Sequence, residues 1–151
     1  MLKKIIYLGF LWCFTTDFAH AQYVDLSGTT GFIRQYVEES PENWNTPIMF
    51  VFYNGDEYCP TCPQAINMIY NLYSQNFSNR MNIFEIDYAT DDEFNMRIAY
   101  ELSQPLSIVV VRINDGLSRG YYKIDNPQDM TDDPFYFNEN ITERINNFLL
   151  Q

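Results

Sequence analysis

Two cysteines three positions apart, Cys59 and Cys62, carry the clearest chemistry in this 151-residue chain. With Pro60 and Thr61 between them they form a C-x-x-C. That spacing suits a disulfide that opens and closes, a fixed staple, or a pair of thiolate ligands for a soft metal. The nucleophile in thiol–disulfide chemistry is the thiolate, and a helix N-terminus stabilises it through unpaired N–H groups and the helix dipole. In the redox reading Cys59 is the attacking thiol. Cys62 then resolves the mixed disulfide by attacking the sulfur of Cys59. Pro60 and Thr61 adjust the potential of the pair, whereas Asp56 and Glu57 act against the thiolate by adding nearby negative charge.

The flanking sequence supplies the elements such a site needs. Ahead of it, Ile48-Met49-Phe50-Val51-Phe52-Tyr53 is an unbroken apolar run, the pattern of a strand buried on both faces. Asn54-Gly55-Asp56 is a turn signal that ends the strand before the first cysteine. Behind the site, Ile66, Ile69, Tyr70, Tyr73 and Phe77 recur at the spacing of one helical face, predicting a helix over about 60–77 with Pro60 and Pro63 in its first turn. Further on, 83–86 reads as a second strand with Asp87 at its exit. Thr90-Asp91-Asp92-Glu93 reads as an acidic helix start, with Phe94, Ile98, Ala99 and Leu102 forming the apolar face. Ile108 to Val111 is a β-branched strand, Asn114-Asp115-Gly116 a hairpin turn, and 119–124 the returning strand. After a polar loop over 126–134, Asn138 or Asn140 is expected to cap a last helix whose Ile141, Ile145, Phe148 and Leu149 face inward.

The N-terminal end reads as an export leader, residues 1–21. Lys3 and Lys4 precede a short apolar run from Ile5 to Phe14, too short to span a bilayer, and Ala19-His20-Ala21 offers a small-x-small cleavage site. The expectation is a periplasmic or secreted chain that matures at Gln22 and has no stable membrane insertion. Residues 22–46 then form an arm and a short helix, capped by Thr29 or Thr30, carrying Phe32, Ile33, Tyr36 and Val37, and ended by Ser40-Pro41. The folded domain covers 47–151.

Cleavage at that site also narrows the chemistry. It removes Cys13 and the single histidine, His20, so that Cys59 and Cys62 become the only thiols and Ser-His-Asp or Cys-His catalysis is excluded. A closed zinc site, which needs four ligands, is not available from two thiolates without histidine. Copper(I) or a trivalent metalloid needs only two or three thiolates. Met49, Met68, Met81, Met96 and Met130 are scattered, several at apolar-face positions, and read as core. With nine basic against twenty acidic residues, the chain is not built to bind nucleic-acid phosphates. Neither a GxGxxG nor a P-loop is present, so no cofactor is expected. Asn76-Phe77-Ser78 and Asn140-Ile141-Thr142 match a glycosylation pattern but fall where helix ends are expected. Asp87 could relay protons, although a solvated turn acid is the simpler reading.

From the first strand the expected order is β-α-β-α-β-β-α. With Cys59 to Cys62 at a strand–helix junction, Ile108 to Val111 before Asn114-Asp115-Gly116 and a closing helix, the chain resembles the thioredoxin-like superfamily over about 44–150. The resemblance implies an α/β fold, a three-layer α/β/α with a mixed central sheet. Phe52-Tyr53-Asn54-Gly55 leading into Cys-Pro-Thr-Cys is similar to an exported bacterial thioredoxin-like family named as a nitrophenyl compound nitroreductase subunit, with a C-x-T-C site. It implies a thiol–disulfide oxidoreductase whose partners are exported protein thiols or disulfides, supplied by a membrane electron donor. The alternative is a non-catalytic module that captures a soft metal or docks in a complex, with a structural disulfide. Two departures stand out. The proline that should face the C-x-x-C falls at Pro105, one place before the expected Leu106; if Pro105 serves, its peptide bond is expected to be cis. The acid expected in the strand before the site is absent, since 48–53 is apolar throughout.

Overall fold

The computed structural model describes residues 31–90 and 95–151. The expected leader, the arm from Gln22, the caps at Thr29 and Thr30, and the acidic run Asp91 to Glu93 with Phe94 lie outside the described residues.

Four strands form one mixed sheet in the order β2-β1-β3-β4, where β1 is Ile48–Tyr53, β2 Asn82–Asp87, β3 Leu106–Asn114 and β4 Leu117–Asp125. β1 runs parallel to β2 and antiparallel to β3, and β3 and β4 form an antiparallel hairpin. The hairpin turns at Asp115 and Gly116, both left-handed with φ of 52° and 73°. The positive φ at two successive positions matches the twist of the strands and explains Asp-Gly there.

The alternation of β1 divides the interior in two. Met49 and Val51 face α2 (Cys62–Asn76) and α4 (Pro134–Leu149), packing with Ile69, Leu72, Phe137, Ile141 and Ile145. Ile48, Phe50 and Phe52 face the other way, onto α1 (Gly31–Glu39) and the residues around α3 (Met96–Ala99), with Ile33, Tyr36, Met96 and Tyr100. Helices therefore cover both faces, which is why a strand of six apolar residues is stable: neither side meets water. The second interior is aromatic, with Phe50 stacked on Phe52 at 5.2 Å and Phe32 edge-on to Phe50 at the same distance. Met49, Met81 and Met96 are fully buried and Met68 and Met130 pack against the first interior, so all five expected core methionines are core.

Two helices differ from the sequence expectation. α3 is a single turn, bounded by the left-handed residues Asn95 and Glu101, each with φ of 52°. Its short length breaks the expected 3.6-residue face: Ile98 is 78% exposed, while Met96, Tyr100 and Leu102 point inward. α4 begins earlier than expected. Asp133, not Asn138 or Asn140, is its cap, accepting from the N–H groups of Phe135 and Tyr136 at 3.1 and 3.0 Å. Pro134 occupies the first helical position, where its missing N–H costs nothing. The loop before it is also more ordered than its polarity suggests: Pro127–Met130 form a 3₁₀ turn with Pro127 and Gln128 buried. Among the described residues no helix is long and apolar enough to cross a membrane.

Candidate functional site

Cys59 and Cys62 are joined as a disulfide with Cα atoms 5.4 Å apart, at the end of the sheet where β1 and β2 finish and β3 begins. The first helical residue is Cys62, not Pro60. Pro60 lies in the preceding turn, held by a hydrogen bond from the Cys62 N–H to the Cys59 carbonyl at 3.3 Å, and Pro63 is in the first turn. Proline twice within four residues removes two donors, and the helix can begin in earnest only once regular N–H groups resume. Thr61 precedes the helix but offers no side-chain cap; its carbonyl accepts from the Ala65 N–H at 3.1 Å. Pro60 and Thr61 are both exposed.

The two sulfurs differ in setting. Cys62 is 7% exposed and packs with Ala65, Val51 and Leu106, whereas Cys59 is partly exposed at the rim. An incoming thiol or disulfide therefore meets Cys59 first, and Cys62 is shielded beneath it.

The loop that carries Cys59 is tied to the neighbouring strands at two points and braced once within itself. The Asn54 N–H donates to the Pro105 carbonyl at 3.0 Å, the Asn54 side-chain oxygen accepts from the Asp56 N–H at 3.1 Å, and Asp87 accepts from the Gly55 N–H at 2.9 Å. The same Asp87 oxygen accepts from the Ala89 N–H at 3.0 Å. Asp87 is thus a turn acid whose carboxylate joins the end of β2 to the loop. A Cβ on Gly55 would lie 2.9 Å from the Asp87 Cγ and closer still to one of its oxygens, so a side chain here would have to push the carboxylate away from the Gly55 N–H.

Beside the disulfide lies an open groove of about 420 Å³, lined by Cys59, Cys62, Tyr53, Ile66, Pro63 and Pro105. Pro105 thus shares this groove with the two sulfurs. Leu106 does not: it is fully buried in the interior behind Cys62. No cis peptide bond occurs among the described residues, so the expected cis bond at Pro105 is corrected to trans.

Glu57 and Glu85 also line the groove, and Glu85 is the member that the sequence reading missed. It sits opposite Val51 on the parallel strand, its carboxylate accepting from the Tyr70 hydroxyl at 2.9 Å. Burial pushes the Tyr70 phenol up to about 12, helped by the bonded Glu85 carboxylate. Burial likewise raises Tyr53, with the negative charges of Asp87 and Glu85 adding to it. The signal was present as one carboxylate inside an otherwise apolar strand, Ile83-Phe84-Glu85-Ile86, a position the pattern alone reads as solvent-facing.

The described residues contain no group of three or more Cys, His, Asp or Glu side chains placed to hold a metal ion. No family model matches the sequence, and no curated protein matches it. Among solved structures, one described as "Structure of a malarial protein" aligns at 11% identity with a TM-score of 0.38, covering 57% of this chain and 91% of that one.

Proposed function

We propose that this chain is an exported thiol–disulfide oxidoreductase of thioredoxin-like fold, working through Cys59 and Cys62. The observation that carries this reading is the asymmetry of the disulfide: a partly exposed Cys59 at the rim and a shielded Cys62 opening α2, beside a groove that Pro105 also lines. The strand order, with a parallel and an antiparallel neighbour on either side of β1 and helices on both faces, supports the fold assignment. The C-x-T-C resemblance supports extending it to the exported family named above, and the leader expected at residues 1–21 supports a periplasmic or secreted location.

In this reaction a partner thiolate attacks the Cys59 sulfur, the Cys59–Cys62 bond breaks, and Cys62 leaves as a thiolate. A second partner thiol, once deprotonated, attacks the partner sulfur that is bonded to Cys59, closing a disulfide within the partner and releasing Cys59 as a thiolate. Two electrons pass from the partner to the pair, which ends reduced while the partner carries the new disulfide. Run in reverse, the reduced pair opens a partner disulfide, and an external dithiol donor must then restore it.

The test is exchange between the reduced protein and a peptide disulfide, followed by acid quench and mass spectrometry. The expected result is turnover in the wild type, none in Cys59→Ser, and a trapped mixed disulfide on Cys59 in Cys62→Ser. Turnover that survives Cys59→Ser, or none in the wild type, would overturn the proposal.

A further inference from the structure

We infer that the groove beside the disulfide selects partners whose reactive cysteine is flanked by lysine or arginine. The inference rests on the redox reading above and names the substrate class of that same site. The floor of the groove is apolar, formed by Tyr53, Ile66, Pro63 and Pro105, and gives a partner segment surface to cover. Its charge comes from carboxylates alone: Glu57 from the loop before Cys59 and Glu85 from β2, on separate elements.

Among the described residues neither carboxylate is paired with a cation. Glu85 accepts from the neutral Tyr70 hydroxyl and Glu57 from the neutral Asn54 amide at 3.4 Å. The ion pair found among the described residues, Lys123 with Asp125 at 3.4 Å, lies on β4 and involves neither of them. Asp56 and Asp87 stand on the same loop and strand end, and no lysine or arginine is among the described residues that line the groove. A cationic side chain beside the incoming sulfur would gain Coulomb energy from two directions, and because both carboxylates are exposed this gain is felt most at low ionic strength. An acidic partner would meet the same carboxylates as repulsion, and complementarity of this kind acts mainly on the rate of encounter. The cationic neighbour also answers the chemical handicap that these acids create. Carboxylates beside Cys59 disfavour its thiolate, and a docked lysine or arginine offsets them only when the right partner is bound.

The experiment compares two peptide disulfides that differ only in residues flanking the cysteine, lysine in one and glutamate in the other. A third, small uncharged disulfide serves as reference. Wild-type protein should react roughly tenfold faster with the lysine peptide at low ionic strength, and that ratio should shrink as added salt brings the Debye length below about 10 Å. Glu57→Gln combined with Glu85→Gln should bring the ratio close to one. Glu139→Gln combined with Glu143→Gln removes the same charge from α4, where these residues line a separate groove against α2, and should leave the ratio as in the wild type. Equal rates for the two peptides, or a ratio that falls equally in both double variants, would overturn the inference while leaving exchange intact. No exchange even with the uncharged disulfide would overturn the redox reading, and this inference with it.

Discussion

The Asp87 carboxylate accepts a hydrogen bond from the Gly55 N–H at 2.9 Å, joining the end of β2 to the loop before Cys59 across thirty-two residues of sequence. Gly55→Ala forces a Cβ against that carboxylate, so it should destabilise the fold by about 1–3 kcal/mol, whereas Asp87→Ala, which orphans two backbone donors, should cost about 1–2 kcal/mol. In the double variant the clash is gone, and the combined loss should be smaller than the sum. Urea denaturation of all four proteins measures this coupling, and strict additivity would count against it.

Tyr70 should remain a neutral donor to Glu85 well past the range in which an ordinary tyrosine ionises. Its phenol is pushed up to about 12 in the folded protein, against about 10 in the unfolded chain. The folded state thus holds this proton more tightly. The associated stability is fully present below pH 10 and is lost as pH rises from 10 towards 12. Tyrosinate absorbance, taken as the difference between wild type and Tyr70→Phe, should show this late titration. Glu85→Gln removes a nearby negative charge and should move it to lower pH.

Reduced single-cysteine variants should report the difference in exposure of the two sulfurs. Cys62→Ser retains the rim thiol and Cys59→Ser the one that is 7% exposed. Alkylation of Cys59 should be faster by roughly an order of magnitude, because the reagent reaches the rim sulfur and not the shielded one. Equal rates by mass spectrometry would contradict the assigned roles.

The aromatic interior should tolerate little change. Phe50 is fully buried and packs against Phe32, Phe52, Phe84 and Tyr100. Phe50→Ala should cost about 3–5 kcal/mol and flatten the near-ultraviolet circular dichroism. A conservative Phe50→Leu should lose less.

Helix capping gives a sharper test of local order. Asp133→Ala should cost about 1 kcal/mol, and Asn138→Ala and Asn140→Ala clearly less, since Asp133 holds the two free N–H groups at the start of α4. Thermal melts of the three variants would rank them.

Much of this architecture could be read from pattern alone. The apolar run of β1 and the Asp-Gly turn of the β3–β4 hairpin depend on local chemistry, and each lies where the sequence put it. The face of α2 is rotated from the expected one: Cys62, Ala65, Ile69 and Leu72 are its buried residues, while Ile66, Tyr70 and Tyr73 are only half-buried. The misses have a common physical source. Asn138 and Asn140 are good capping residues, but Asp133 followed by Pro134 starts the helix a turn earlier. Ile98 has the spacing of a core position, but Glu101 adopts a left-handed conformation and the helix ends before its face is built. Both outcomes turn on which of several competent residues the tertiary structure uses. The site divides similarly. Cys59 and Cys62 announce themselves by spacing, whereas Glu85 joins them only because β2 lies parallel to β1, and Pro105 shares their groove only because β3 begins beside Tyr53. Those relations are created by the pairing of strands distant in sequence.

The disulfide closes a ring of only four residues at one end of the sheet, while two packed interiors lie on either side of β1. A thermodynamic cycle links these facts: the stability difference between oxidised and reduced protein equals the difference in reduction free energy between the folded and unfolded chain. A ring this short constrains the unfolded chain by only about 2 kcal/mol, and both interiors are built chiefly from side chains other than the two cysteines. Opening the ring is therefore expected to lower stability by that order while leaving the two-layered core assembled, so that folding and the covalent state of the pair are only loosely coupled.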